Sequence, residues 1–192
     1  MSEVRRVSPQ EWTILRSIRL AALRESPRSF CSSHEREAGW DEDRWRESAR
    51  SVAWFVAWRD GEPVGIVGGT GRGLPVKGTS RGEPAAEGSA SREELGDEGS
   101  ASGGESWAER QVISMWVDPS ARGTGIADAL IGAVAGWARA DGARTLKLWV
   151  ADASPRARAF YRRAGFRLTG ETGEMPGDPA AKRHEFSLDL GS

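Results

Sequence analysis

The sequence holds a single cysteine, Cys31, which excludes an intrachain disulfide and suits a reducing, cytoplasmic setting. Its two histidines, His34 and His184, stand far apart without cysteines or clustered carboxylates at ligand spacing. Each reads as an ordinary surface or packing residue, and no metal site is expected. No run of about 18 apolar residues occurs, so no membrane-spanning helix is expected. The opening MSEVRRVSPQEW has two arginines but no apolar stretch behind them, so it does not read as a secretory signal. A net charge of -1 supplies no basic field for nucleic acid or an anionic membrane. From about Gly71 to Ser106 aromatic residues are missing altogether, while Gly, Ser and Glu dominate. Such a segment buries too little apolar surface to offset the entropy of ordering it. It reads as a flexible insertion within one domain; a lid over substrate is the functional alternative.

What is present is the size of one domain, 192 residues, with alternating helix and strand signals. Ser8-Pro9-Gln10-Glu11 forms a capping box with proline at the first helical position. The helix after it places Trp12, Leu15, Ile18 and Ala22 near one face and stops before Pro27. A second, highly charged helix is expected over Asp41 to Arg50. SVAWFVAW and PVGIVGG, joined through Arg59-Asp60-Gly61-Glu62, predict a β-hairpin. Glu109 to Val117 is a strand candidate stopped by Asp118-Pro119. A helix with Ala127, Leu130, Ile131, Val134, Trp137 and Ala138 at helical spacing then ends at Asp141-Gly142. TLKLWV alternates as a strand. Ser154-Pro155 opens a short helix carrying Ala157, Phe160, Tyr161 and Ala164, which Gly165 closes. A Gly- and Pro-rich loop and a last strand, HEFSLDL, complete the expected order, with no internal repeat.

The stretch Arg122-Gly123-Thr124-Gly125-Ile126-Ala127 stands between a strand and a helix. At a helix start the first amides lack partners and the dipole favours an anion. Two glycines let a phosphate approach those amides, and Arg122 adds positive charge. Taken alone, a glycine pair before a helix also makes a tight turn, and both readings stand on these residues. A P-loop requires Lys-Ser/Thr after the second glycine, where Ile126-Ala127 stands. A dinucleotide fingerprint wants a third small residue where Asp128 stands, and no Asp-Pro break before the loop.

SMWVDPSARGTGIADAL followed by LWVADASPRARAFYRRAGF resembles the GNAT superfamily of acyl-CoA-dependent N-acetyltransferases. The R-G-x-G-x-A loop after a strand ending V-D-P and the downstream A-x-x-F-Y-x-x-x-G-F signature carry the resemblance. RLAALRESPRSF and the hairpin at Asp60-Gly61 extend it to nearly the whole chain outside the insertion. The resemblance implies one α/β domain over 1–192, with a mixed, mostly antiparallel central sheet and helices on both faces. It implies acetyl-CoA as co-substrate, with the amides of Arg122, Gly123, Thr124, Gly125, Ile126 and Ala127 around its pyrophosphate. The main chain of Trp116 and Val117 would pair with the pantetheine arm. Tyr161, the only tyrosine, would protonate the departing thiolate; its alternative is a core role beside Phe160. Ser154 stands where the family commonly has asparagine, so it can cap the helix while its cofactor contact is open. Glu109 is the candidate base beside Gln111, which cannot accept a proton; a solvent-facing strand end and a water chain are the alternatives.

Acetyl transfer needs a neutral amine near the carbonyl, a polarised oxygen and a proton for the thiolate. The implied acceptor is a primary amine, a small molecule being preferred to a protein, attacked directly in a ternary complex. Trp12, Trp40, Trp45, Trp54 and Trp58 crowd the half that would wall the acceptor, as core or as cation-binding faces. Glu171, Glu174 and Asp178, expected in a loop before the last strand, could attract a cationic amine. Arg156, Arg158, Arg162, Arg163 and Arg167 form a basic helix face, read either as a contact for the 3′-phosphate of coenzyme A or as a solvated surface. A homodimer is compatible with the sequence. The rival from another class is a non-catalytic module that senses acyl-CoA or binds a protein through the insertion.

Overall fold

A computed structural model of the chain describes residues 2–71, 108–175 and 178–191. The expected insertion therefore lies, past Gly71, outside the described residues. In chain order the elements are β1 (Ser2–Arg6), α1 (Trp12–Glu25), α2 (His34–Ala38), α3 (Glu42–Ser51), β2 (Ala53–Arg59), β3 (Glu62–Gly71) and β4 (Glu109–Val117). After them come α4 (Ile126–Ala140), β5 (Thr145–Ala151), α5 (Pro155–Arg163), β6 (Arg167–Met175) and β7 (Asp178–Asp189).

Local chemistry accounts for most of these boundaries. The Ser8 amide donates to Glu11 Oε2 at 3.0 Å, and Arg5 holds the other Glu11 oxygen at 2.6 Å, which fixes the entry to α1. Asp41 Oδ1 accepts from the Arg44 amide at 2.9 Å and starts α3. Asp60 and Gly61 both take positive φ, 53° and 87°, as a two-residue hairpin turn requires.

The seven strands form one sheet in the order β1-β2-β3-β4-β5-β7-β6. Every neighbouring pair is antiparallel except β4 and β5. Alternation along β2 sends Ala53, Phe55 and Ala57 to one face and Trp54 and Val56 to the other. The first face packs with Val112, Leu146, Leu148, Val150 and Phe186 against α4 and α5. On the second, Leu15, Ile18 and Ala22 of α1 and Trp45 and Ala49 of α3 cover Trp54, Val56 and Ile66. Trp45 and Trp54 are thus core, while Trp12, Trp40 and Trp58 are partly buried against the same cluster. Arg19 crosses this layer and meets Glu37 of α2 in a buried bidentate pair, at 2.9 and 2.8 Å.

Three elements depart from the sequence reading. β1 and α2 were not anticipated, β1 because a charged edge strand shows no apolar alternation. The expected loop before HEFSLDL is instead β6 and the first half of β7, which makes a long antiparallel ribbon. Glu171 and Glu174 accordingly stand on β6, and Asp178 opens β7. β6 is an edge strand with mostly exposed side chains and a register shift between Leu168 and Thr172, so hydrophobic periodicity is silent there.

Helix α4 lies close on β3 because glycines leave room. A Cβ added at Gly69 would lie 2.8 Å from Val134 Cγ2 and nearer still to the indole of Trp137. Gly69→Ala is therefore expected to destabilise the fold by about 1–3 kcal/mol, the usual cost of overpacking. Chemical denaturation would check this, and an unchanged midpoint would refute the packing account.

Candidate active site

The seam between β4 and β5 organises the site. Both strands run the same way, but they pair only at Glu109–Thr145, Arg110–Leu146 and Gln111–Lys147. β4 continues to Val117 and β5 to Ala151, so beyond Gln111 the two strands part and a gap opens between them. A bulge sits on the parted stretch of β4. Gly68 pairs with Ile113 and Ile66 with Trp116, so Ser114 and Met115 stand opposite Val67 alone. Ser114 takes φ 56°, a conformation uncommon outside glycine. The extra residue resets the alternation. Ile113 and Trp116 both face α1, whereas Val112 and Met115 both face α4.

At the open end of the gap, β4 runs into the glycine loop. Asp118 Oδ1 accepts from the Ser120 amide at 2.9 Å and its hydroxyl at 2.6 Å, and these bonds hold the carboxyl below the usual carboxylate range. Gly123 and Gly125 take φ 79° and 85°. A Cβ at either would meet nothing within 4 Å, so here glycine is needed for backbone conformation rather than for clearance within the protein. Ala129 donates to the Gly125 carbonyl at 3.0 Å, and the amides ahead of it are those a helix leaves without intrahelical partners. Of the amides from Arg122 to Ala127 expected to face a pyrophosphate, that of Arg122 donates to the Pro119 carbonyl at 3.4 Å, and close contact of Gly65 with Ile126 and Leu130 seats the loop.

The Arg122 charge is partly committed. Its Nε donates to the Val117 carbonyl at 3.0 Å and its Nη2 to Glu25 Oε2 at 2.9 Å. Trp116 Nε1 donates to the same oxygen at 2.9 Å. The Ser26 hydroxyl, then Trp116 and Arg122, hold the Glu25 carboxyl below its ordinary range. Thus the main chain of Val117, expected to face a pantetheine arm, already serves Arg122 through its carbonyl. Glu25 was invisible to sequence reasoning, because it lies 97 residues before Arg122 and its role arises only from folding.

On the other lip, β5 leads into α5. Ser154 is the residue before α5, but its hydroxyl makes no capping bond; its carbonyl accepts from Arg158 at 3.1 Å. Tyr161 is buried and packs edge-on against Phe160 and Phe166, with ring centroids 5.1 and 5.5 Å away. Burial raises its phenol above the ordinary value, so it carries its proton at neutral pH. Parallel β4 and β5 lead into α4 and α5. Arg163, two residues past Tyr161, pairs with Asp128 in the first turn of α4 at 3.2 Å, which brings this part of α5 to the end of the sheet where the glycine loop lies. Of the α5 arginines and Arg167, Arg158 pairs with Asp152 and Arg163 with Asp128, while Arg156, Arg162 and Arg167 make no ion pair among the described residues.

Glu109 stands at the closed end of the seam. Eight residues at ~3.3 Å each separate it from Val117, about 26 Å along the strand. Its carboxylate meets Lys147 Nζ at 2.8 Å. Glu109, Arg110, Gln111, Lys147, Trp149 and Glu185 line a cavity of about 190 Å³ on the α1 side. Lys147 and Glu185 were missed, since TLKLWV and HEFSLDL read as strands whose polar positions face solvent.

The profile of the acetyltransferase (GNAT) family matches residues 19–166. No protein of curated function matches in sequence. Among solved structures, the acetyltransferase of GNAT family from Streptococcus pneumoniae is 13% identical, with a TM-score of 0.70 and 100% of both chains covered. The yncA protein of Salmonella typhimurium, solved with its cofactor acetyl-CoA, is 13% identical with a TM-score of 0.67, covering 100% of this chain and 95% of that one. The ribosomal-protein-S18-alanine N-acetyltransferase from Escherichia coli is also 13% identical, with a TM-score of 0.60 and coverage of 100% and 96%. These likenesses establish the shared fold. Among the described residues no group of three or more His, Cys, Asp or Glu side chains could hold a metal, and no helix is long and apolar enough to cross a membrane.

Gly125→Val places a β-branched residue at φ 85° in the glycine loop. Calorimetric titration is expected to show acetyl-CoA binding lost in this variant; retained affinity would mean the loop is only a turn.

Proposed function

The chain belongs to the GNAT acetyltransferase family, and from that premise we propose that it moves an acetyl group from acetyl-CoA to a primary amine by direct attack in a ternary complex. One observation carries the reading. The glycine loop and the buried, protonated Tyr161 stand at the same open end of a gap between two parallel strands. The amides from Arg122 to Ala127 would hold the pyrophosphate, with the helix dipole behind them. The unpaired edge of β4 from Val112 onward, including Trp116 and Val117, would run beside the pantetheine arm. The Ser154 hydroxyl is open for a contact from the opposite lip. Acetyl-CoA supplies the activated acyl group. The chain's own part is to bind it, orient the amine and move two protons.

In this reading the amine lone pair attacks the thioester carbonyl and the carbon–sulfur bond breaks. The Tyr161 phenol gives its proton to the departing sulfur, and the proton the nitrogen sheds as the amide forms returns to the phenol through water. An alkyl amine is an ammonium at neutral pH and must first lose a proton. Glu109, acting through water from its ion pair with Lys147, is the proposed acceptor of that proton. A small-molecule amine is preferred to a protein, since the cavity at the seam has room for little more than a side chain.

Tyr161→Phe removes the acid without removing the ring. It is expected to lower turnover by about 10²-fold or more while acetyl-CoA affinity holds; undiminished turnover would end the assignment. For Glu109→Gln, pH–rate profiles should show a loss of about 10²-fold on the acidic side, where the amine most needs a base. An unaltered profile would transfer the role to water. A thiol-release assay over an amine panel tests the whole reading, because a non-catalytic sensor would bind acetyl-CoA and release no thiol.

A further inference from the structure

The cavity at the closed end of the seam is more strongly charged than amine transfer alone requires. Glu185 lies on β7 directly opposite Trp149 of β5. It is only 5% exposed, yet its carboxylate accepts no hydrogen bond among the described residues. Its nearest cation, Lys147 Nζ, is 3.8 Å away and is given over to Glu109 at 2.8 Å. Arg183, two residues along the same face, stacks over the Trp149 indole at 4.6 Å. Arg110 is committed to Asp141 at 2.8 Å. A carboxylate so buried costs free energy until a donor reaches it. The cavity it lines, about 190 Å³ with an indole wall, suits an alkylammonium group.

Such a group could not be the amine that reacts. An ammonium in direct contact with Glu185 is held protonated, without the lone pair that attack requires, whereas Glu109 takes up its proton only through water. The cavity also adjoins Gln111 and Lys147, the last pair before the strands part, so a chain leaving it leads into the gap. We propose that Glu185 anchors a second, non-reacting ammonium, and that the acceptor is an aliphatic diamine. Its far end is held protonated at Glu185 while its near end is acetylated in the gap. This rests on the acetyltransferase reading above and leaves its bond changes as they stand; the anchored ammonium neither gains nor loses a proton.

Three five-carbon probes differ in the charge at the far end: cadaverine, pentylamine and aminovalerate. The wild-type kcat/KM for cadaverine is expected to exceed that for pentylamine by about tenfold or more, with aminovalerate lowest. In Glu185→Gln the ratio of cadaverine to pentylamine should fall to about one. A wild-type ratio near one, or a ratio that survives the substitution, would overturn the proposal. Should Glu185→Gln not fold, the wild-type ratio decides by itself. If no probe is acetylated, the acetyltransferase reading fails on its own terms, and the anchor is read by calorimetry. Cadaverine binding to the protein–coenzyme A complex at least tenfold tighter than pentylamine supports it; equal binding overturns it.

Discussion

Three residue pairs hold the two halves of the sheet together. β1 to β4 form one antiparallel unit and β5 to β7 another, and among the described residues Glu109–Thr145, Arg110–Leu146 and Gln111–Lys147 are the strand pairs that join them. Everything that gives the molecule a site follows from that short seam. Had the pairing continued to Val117 and Ala151, the hydrogen-bonding edge of β4 would be consumed and the space closed. The Ser114 bulge gives the parted stretch its direction. It also turns Trp116 toward α1, where its indole reaches Glu25.

Two helices start from the lips of this gap, and each brings a different chemistry. α4 follows β4 and offers unpaired amides; α5 follows β5 and carries the protonated phenol. Parallel strands are what put both helix starts at one end, as in other α/β arrangements where ligands sit at the carboxyl ends of strands. The antiparallel remainder of the sheet serves chiefly as a platform, with its two apolar faces covered by α1 and α3 on one side and α4 and α5 on the other.

Much of this was legible in the residues. Glu109 to Val117, the helix ending at Asp141-Gly142 and the Asp60-Gly61 hairpin announce themselves through periodicity and turn chemistry, and the structure reproduces them. The glycine loop was legible because its spacing relates neighbours in sequence. What was not legible depends on distant partners. The parting of β4 from β5 is a property of two strands together, and neither strand's alternation records it. Glu25 reaches Arg122 and Trp116 across 97 and 91 residues. Glu185 reads as a solvent-facing strand position until β5 and Trp149 are laid beside it. β6, exposed on most of its length, never carried an apolar signal to read.

The shared Glu25 carboxylate joins parts that lie on different elements. α1 covers the face on which the cavity beside Lys147 opens; Arg122 opens the glycine loop. A single oxygen receives both Arg122 and Trp116. Any movement of the end of α1 must stretch or break those two bonds, and any withdrawal of Arg122 toward a phosphate must release its hold on α1. The position of the end of α1 and the freedom of Arg122 are thereby tied to each other through one carboxylate oxygen.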